Sequence, residues 1–207
     1  MRRHKKLAIA GLLCGATLIA GCESSTSQRM GTLAVKLTDA PFPFDSVARV
    51  DVFVLRIDAS QGVTSDSNAA ENVEASEMQG NGWTTIASPN ESFDLLTLRN
   101  GVTANLGQAT LPIGQYRGFR LVIDTDRSSV TLANGTVLDG SSIPGVAFPS
   151  AGTSGIKINM DEPVTVTEGT TTMLVDFDVG QSFVLRGNSI AQQGLLFKPV
   201  IKASVLQ

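Results

Sequence analysis

Six aspartates stand beside chain breaks or at strand ends, and hard oxygen ligands are the metal chemistry this sequence offers. Asp39 and Asp45 bracket the segment Pro41-Phe-Pro43, Asp124 and Asp126 follow an apolar run, and Asp176 and Asp178 flank Phe177. Carboxylates near turns suit calcium, which takes six to eight oxygens at flexible geometry. On a strand, Asp176 and Asp178 must share one face, opposite Val175, Phe177 and Val179. The plainer reading makes all six solvated or turn-capping carboxylates, and it is preferred. No cofactor is therefore expected, and calcium is the one candidate.

The rest of catalytic chemistry is thin. The single histidine, His4, and one of the two cysteines, Cys14, lie in the first 21 residues. Without them no Ser-His-Asp triad, Cys-His dyad or His/Cys metal site can be assembled. No phosphate-cradling GxxxxGK[ST] loop is present. Carboxylate pairs of the glycosidase kind stay open in principle, but nothing in the sequence marks one. The chain reads as a non-enzyme.

Cys22 has a different chemistry. Arg2, Arg3, Lys5 and Lys6 form a basic start, and Leu7 to Ala20 give about 14 apolar residues, too short to span a bilayer. Leu18-Ile-Ala-Gly-Cys22 closes this run and resembles the bacterial lipobox. That resemblance implies cleavage before Cys22 and transfer of a diacylglycerol, with further acyl chains of the palmitate class, to the new terminus. Each buried methylene contributes roughly 0.8 kcal/mol, so two or three chains hold almost permanently. Glu23 in place of an aspartate points to the outer membrane of the cell envelope. The four basic residues leave with residues 1–21, so 12 Lys and Arg face 19 Asp and Glu and the net charge moves from −3 to about −7. Such a chain is no nucleic-acid binder.

Recognition of sugars rests on exposed aromatic rings, and the sequence supplies one tryptophan and one tyrosine, Trp83 and Tyr116. Trp83 follows Gly80-Asn-Gly82 and suits a loop edge. Tyr116 closes Leu111-Pro-Ile-Gly-Gln-Tyr116, where a tyrosine commonly packs and hydrogen-bonds a neighbouring loop. Both are candidate ligand-binding residues.

These residues must be positioned by strands. Thr32–Thr38 alternates apolar Leu33, Val35 and Leu37 with polar neighbours. Val47–Asp58 carries Val52-Phe-Val-Leu55, apolar on both faces, the mark of a central and doubly covered strand. Phe119, Leu121 and Ile123 share one face of a further strand, and Arg120, Val122 and Asp124 share the other. Asn100-Gly101 and Asn134-Gly135 favour tight turns, and Glu168-Gly169 predicts a hairpin within Val164–Val179. A single helical turn is allowed within residues 92–107. Residues 59–82 are rich in Ser, Asn, Gln and Gly and predict a flexible insertion. The organisation is a signal peptide at 1–21, a polar tether at 22–30 and one β-sandwich over 31–207. The fold class is all-β, a single antiparallel sandwich of eight to ten short strands.

Gly31-Thr-Leu-Ala-Val-Lys-Leu-Thr-Asp-Ala-Pro41, Phe93-Asp-Leu-Leu-Thr-Leu-Arg-Asn-Gly101, Leu111–Tyr116 and Val175-Asp-Phe-Asp178 together resemble an uncharacterised bacterial and archaeal envelope family, domain of unknown function four-three-eight-two. Ser154-Gly-Ile-Lys157 and Leu196-Phe-Lys-Pro-Val200 fit the same pattern. The resemblance covers about residues 31–206 and implies a lipoprotein with a transthyretin-like or carbohydrate-binding-like sandwich. It brings no catalytic residues. The combined expectation is a lipid-anchored envelope protein that acts as a non-enzymatic binding or assembly module. Its partners would be the membrane, through Cys22, and an envelope protein or a glycan. A carbohydrate-binding lipoprotein is the alternative.

Overall fold

The computed structural model describes residues 28–40, 45–61, 82–149 and 154–206. The expected signal peptide, the lipidated Cys22 and all but the ends of the 59–82 insertion lie outside these residues. In chain order the strands are β1 (Met30–Thr38), β2 (Val47–Ser60), β3 (Thr84–Ala87), β4 (Glu91–Asp94), β5 (Ala104–Pro112), β6 (Gly114–Tyr116), β7 (Gly118–Leu132) and β8 (Val137–Leu138). There follow β9 (Val146–Ala147), β10 (Ile156–Lys157), β11 (Val164–Val166), β12 (Thr170–Phe177), β13 (Phe183–Leu185), β14 (Leu195–Phe197) and β15 (Ile201–Leu206). Two single-turn helices, α1 (Val179–Ser182) and α2 (Ile190–Gln193), and a 3₁₀ turn at Leu95–Thr97 complete the described residues.

Two sheets carry the architecture. One has the order β15-β12-β1-β5, and the other the order β10-β7-β2-β3 with β4 added to β2 and β8 to β7. Period-two burial turns Leu33, Val35, Leu37, Met173, Val175 and Phe177 of the first sheet inward. Val50, Val52, Val54, Ile57, Leu121 and Ile123 of the second sheet join them in one continuous core. Gly107, at φ +128, lets β5 approach β3, since a Cβ there would stand 2.6 Å from the Ala87 Cβ. A small sheet of β13, β14 and β9 adds Phe183 and Phe197, and Phe197 stacks on Phe177 at 6.1 Å.

The all-β sandwich is as expected, and four details differ. Fifteen strands stand in place of eight to ten, because seven have only two or three residues, too short for a visible period. The pairing is mixed: β1 runs parallel to β12, and β14 parallel to β9. Alternation reports which face is buried and carries no information on direction, so the antiparallel reading fails there. The chain does turn at Gly169 (φ +99), yet β11 pairs with β6 while β12 pairs with β1 and β15, so no hairpin forms. Lastly, β2 is central but its second face is only half covered, and the Arg127 guanidinium lies 3.6 Å over the Phe53 ring there.

Candidate binding face

Among the described residues, charged and aromatic side chains converge on the outer face of the six-stranded sheet. Strand register builds it: Lys157 on β10 pairs with Arg120 on β7, Arg120 with Asp58 on β2, and Asp58 with Thr85 on β3. Paired residues share a face, so this row crosses four strands on the side away from the core. The adjacent row, Ile156, Leu121 and Ile57, is buried inside.

Asp58 is 2 % exposed although it points outward. Its Oδ2 accepts from Arg120 Nε at 2.8 Å, both oxygens accept from Arg56 Nε at 3.2 Å, and Oδ1 accepts from Thr85 Oγ1 at 2.9 Å. A buried carboxylate is tolerated where donors compensate its lost hydration, and here three side chains do so. The Trp83 indole packs on Arg120, whose guanidinium lies 4.6 Å from its ring centroid. Gly118 leaves space for this ring, because a Cβ at that position would come within 3.2 Å of it. Trp83 is thus half-buried and held on two sides. The Arg56 and Arg120 side chains are 41 % and 24 % exposed, and Lys157 is exposed, so cationic surface adjoins the indole on the Arg120 side.

Tyr116 takes the other role weighed for it. It is 3 % exposed, and its hydroxyl donates to the Pro112 carbonyl at 3.0 Å, pinning the β5–β6 corner. Burial pushes its phenol above the ordinary value. A ring so enclosed offers no platform to a ligand.

The six aspartates fall into three places. Asp39, Asp176 and Asp178 gather at the ends of β1 and β12. Asp178 caps α1, its Oδ1 accepting from Gln181 N at 2.9 Å, and Asp39 Oδ1 accepts from Val179 N at 3.0 Å. The Asp39 carboxyl is pushed up to about 7, chiefly by burial, with the charges of Asp176 and Asp178 adding to the shift. Asp176 is raised by burial and then by Asp178. Asp124 sits in β7 and receives Arg127 Nε at 2.6 Å, which holds its carboxyl below the usual range, while Asp126 is exposed beside it. Asp45 lies exposed before β2. Among the described residues no three Asp, Glu, His or Cys side chains are placed to share one metal ion.

The sequence reading missed Asp58, Arg56 and Arg120. Their signal was faint: Asp58 stands on the polar side of an apolar strand, where carboxylates are ordinary. Its long-range donors Thr85 and Arg120 stand 27 and 62 residues away. Elsewhere a cavity of about 450 Å³ opens between Leu132, Leu185 and Ile190 with Asn134 and Asn188 at its sides, and no charged side chain lines it.

The model of a family described as Domain of unknown function (DUF4382) matches residues 30–199. No curated protein matches the chain.

Proposed function

We propose that this chain, which belongs to the family Domain of unknown function (DUF4382), is a lipid-anchored protein of the cell envelope that binds or assembles other envelope components without catalysis. The observation that carries this reading is the N-terminal order of basic residues, apolar run and Leu18-Ile-Ala-Gly-Cys22, set a few residues ahead of a β-sandwich that begins at Met30. Diacylglycerol on Cys22 would hold the sandwich at the membrane surface, and Glu23 in place of an aspartate points to the outer membrane. Binding fits the aromatic and cationic groups set on sheet strands, which hold side chains more precisely than loops do.

Metabolic labelling with a fatty-acid probe tests the anchor. Wild type should take the label and fractionate with membranes, and Cys22→Ser should do neither. An unlabelled wild type, or a labelled Cys22→Ser, would sink the reading.

A second reading, a carbohydrate-binding lipoprotein, is favoured by one observation: Trp83 keeps part of its ring exposed while Arg120 and Gly118 fix its orientation. Tyr116, which the same reading had included, is left out by its burial.

A further inference from the structure

We propose that the outer face of the six-stranded sheet, at Trp83, Arg120, Arg56 and Lys157, binds a sugar chain that carries carboxylates. This names a ligand class for the envelope-binding reading above and rests on it.

Charge is the first argument. Arg56 and Arg120 converge on the single carboxylate of Asp58, and Lys157 stands beside Arg120 in register. Three cations face one anion in a chain whose formal net charge is −3. Arg127, Arg29 and Arg49 are matched by Asp124, Glu168 and Asp51 with Asp94, while Arg117 donates to Gln115 and Arg99 to the Leu96 carbonyl. On this face the cations outnumber the anion they share, and the excess complements an anionic ligand.

The second argument is the indole. A pyranose has one face of C–H groups, apolar and weakly positive, which packs on the electron-rich face of an aromatic ring. The cations next to the ring then meet a carboxylate on the sugar rim, and guanidinium forks pair with carboxylates in two parallel bonds. Asp58 holds Arg120 in place before any ligand arrives, so less side-chain freedom is lost on binding. The third argument is extent. Phe53 lies outward on β2, five residues before Asp58, and also carries a guanidinium on its ring. At about 3.3 Å per residue Phe53 stands roughly 16 Å along the strand from Asp58, the reach of an oligosaccharide and more than one sugar spans.

Trp83 is the only tryptophan of the chain, so its fluorescence reports this face directly. The full chain in detergent micelles is titrated with trigalacturonate and, separately, with the neutral maltotriose. The expected result is a saturable change with trigalacturonate, about tenfold weaker or absent with maltotriose, and weakened by 0.5 M salt through screening. Lys157→Gln is an exposed change that leaves the Asp58 cluster intact, and it should weaken binding about threefold or more at unchanged melting temperature. Trp83→Ala, followed by calorimetry, should lose about tenfold or more, in line with other aromatic stacking contacts.

The proposal fails if trigalacturonate gives no saturable change, if maltotriose binds equally, or if Lys157→Gln binds as wild type does. It also fails if phosphatidylglycerol vesicles, and not trigalacturonate, show the Lys157 dependence. The fatty-acid label decides the parent reading on its own. A labelled chain that ignores trigalacturonate overturns the ligand assignment alone.

Discussion

Asp39 Oδ1 accepts the backbone N–H of Val179 at 3.0 Å, a bond that spans 140 residues and ties the end of β1 to the first turn after β12. The other oxygen, Oδ2, is buried and has no hydrogen-bond partner among the described residues. Burial, Asp176 and Asp178 oppose the charged form, while the Val179 bond and Arg99 favour it, and burial prevails to place the carboxyl at about 7. An unfolded chain releases this proton near 3.8, so between the two values the folded state binds more protons. The stability this group contributes is complete below about pH 4 and is lost as the pH rises through about 7. Asp176, also raised, acts in the same direction.

Asp39→Asn keeps an acceptor for Val179 and removes the titration. Denaturant unfolding at pH 5 and pH 8 should show wild type losing about 1–2.5 kcal/mol across this interval, at 1.36 kcal/mol per pKa unit as the upper scale. The variant should lose clearly less. Equal losses in both proteins would show that Asp39 is already ionised at pH 5.

Removing Asp58 should be costly out of proportion to its size. Asp58→Ala leaves Arg56 and Arg120 facing each other without their shared anion. The expected cost is about 2–4 kcal/mol, somewhat below that of a fully buried pair because both guanidiniums reach solvent. Asp126→Ala, on an exposed residue, should stay within about 0.5 kcal/mol. Urea midpoints measured side by side decide the matter, and similar values for the two would mean the cluster is not stabilising.

Phe177 is fully buried and stacks on Phe197 at 6.1 Å, with Phe148 and Phe183 packed against the same ring. Phe177→Ala opens a cavity that these side chains can fill only in part, and should cost about 3–5 kcal/mol. A loss below about 1 kcal/mol in equilibrium unfolding would contradict the packing.

Tyr116→Phe removes one hydroxyl and leaves the ring. The Pro112 carbonyl then loses its donor, and stability should fall by about 1 kcal/mol. Trigalacturonate binding should not change, since this ring lies in the core and apart from the Trp83 face. A variant as stable as wild type would show that the bond makes no net contribution.

Period-two alternation made the core legible. Leu33, Val35 and Leu37, then Phe119, Leu121 and Ile123, then Val175 and Phe177 are all buried on the face the pattern assigns. Asn100 and Gly101, at φ 59 and 85, form the turn their types favour, and Gly135 turns β7 into β8. Partner and direction were not legible. A strand such as β12 has the same alternation whether it lies beside β11 in a hairpin or parallel to β1 from the far end of the chain. The aspartates were readable by face but not by company, because Asp39 meets Asp176 and Asp178 only once β1 and β12 are paired. Trp83 was found by its type, and its arginine partners were not, since an arginine on an outward strand position ordinarily reaches solvent alone.

The parallel placement of β1 has a mechanical consequence. This first strand lies in the interior of its sheet, paired with β12 over seven positions and with β5 over eight. A force applied ahead of Met30 runs along the strand axis and loads both ladders in shear, so their bonds must yield together and cannot peel one by one. Resistance to such a force follows the rate of unfolding, whatever the equilibrium stability. A body tethered through its N-terminus on this strand would keep its shape under drag, and the Trp83 face, on the opposite sheet, would remain assembled while the tether is pulled.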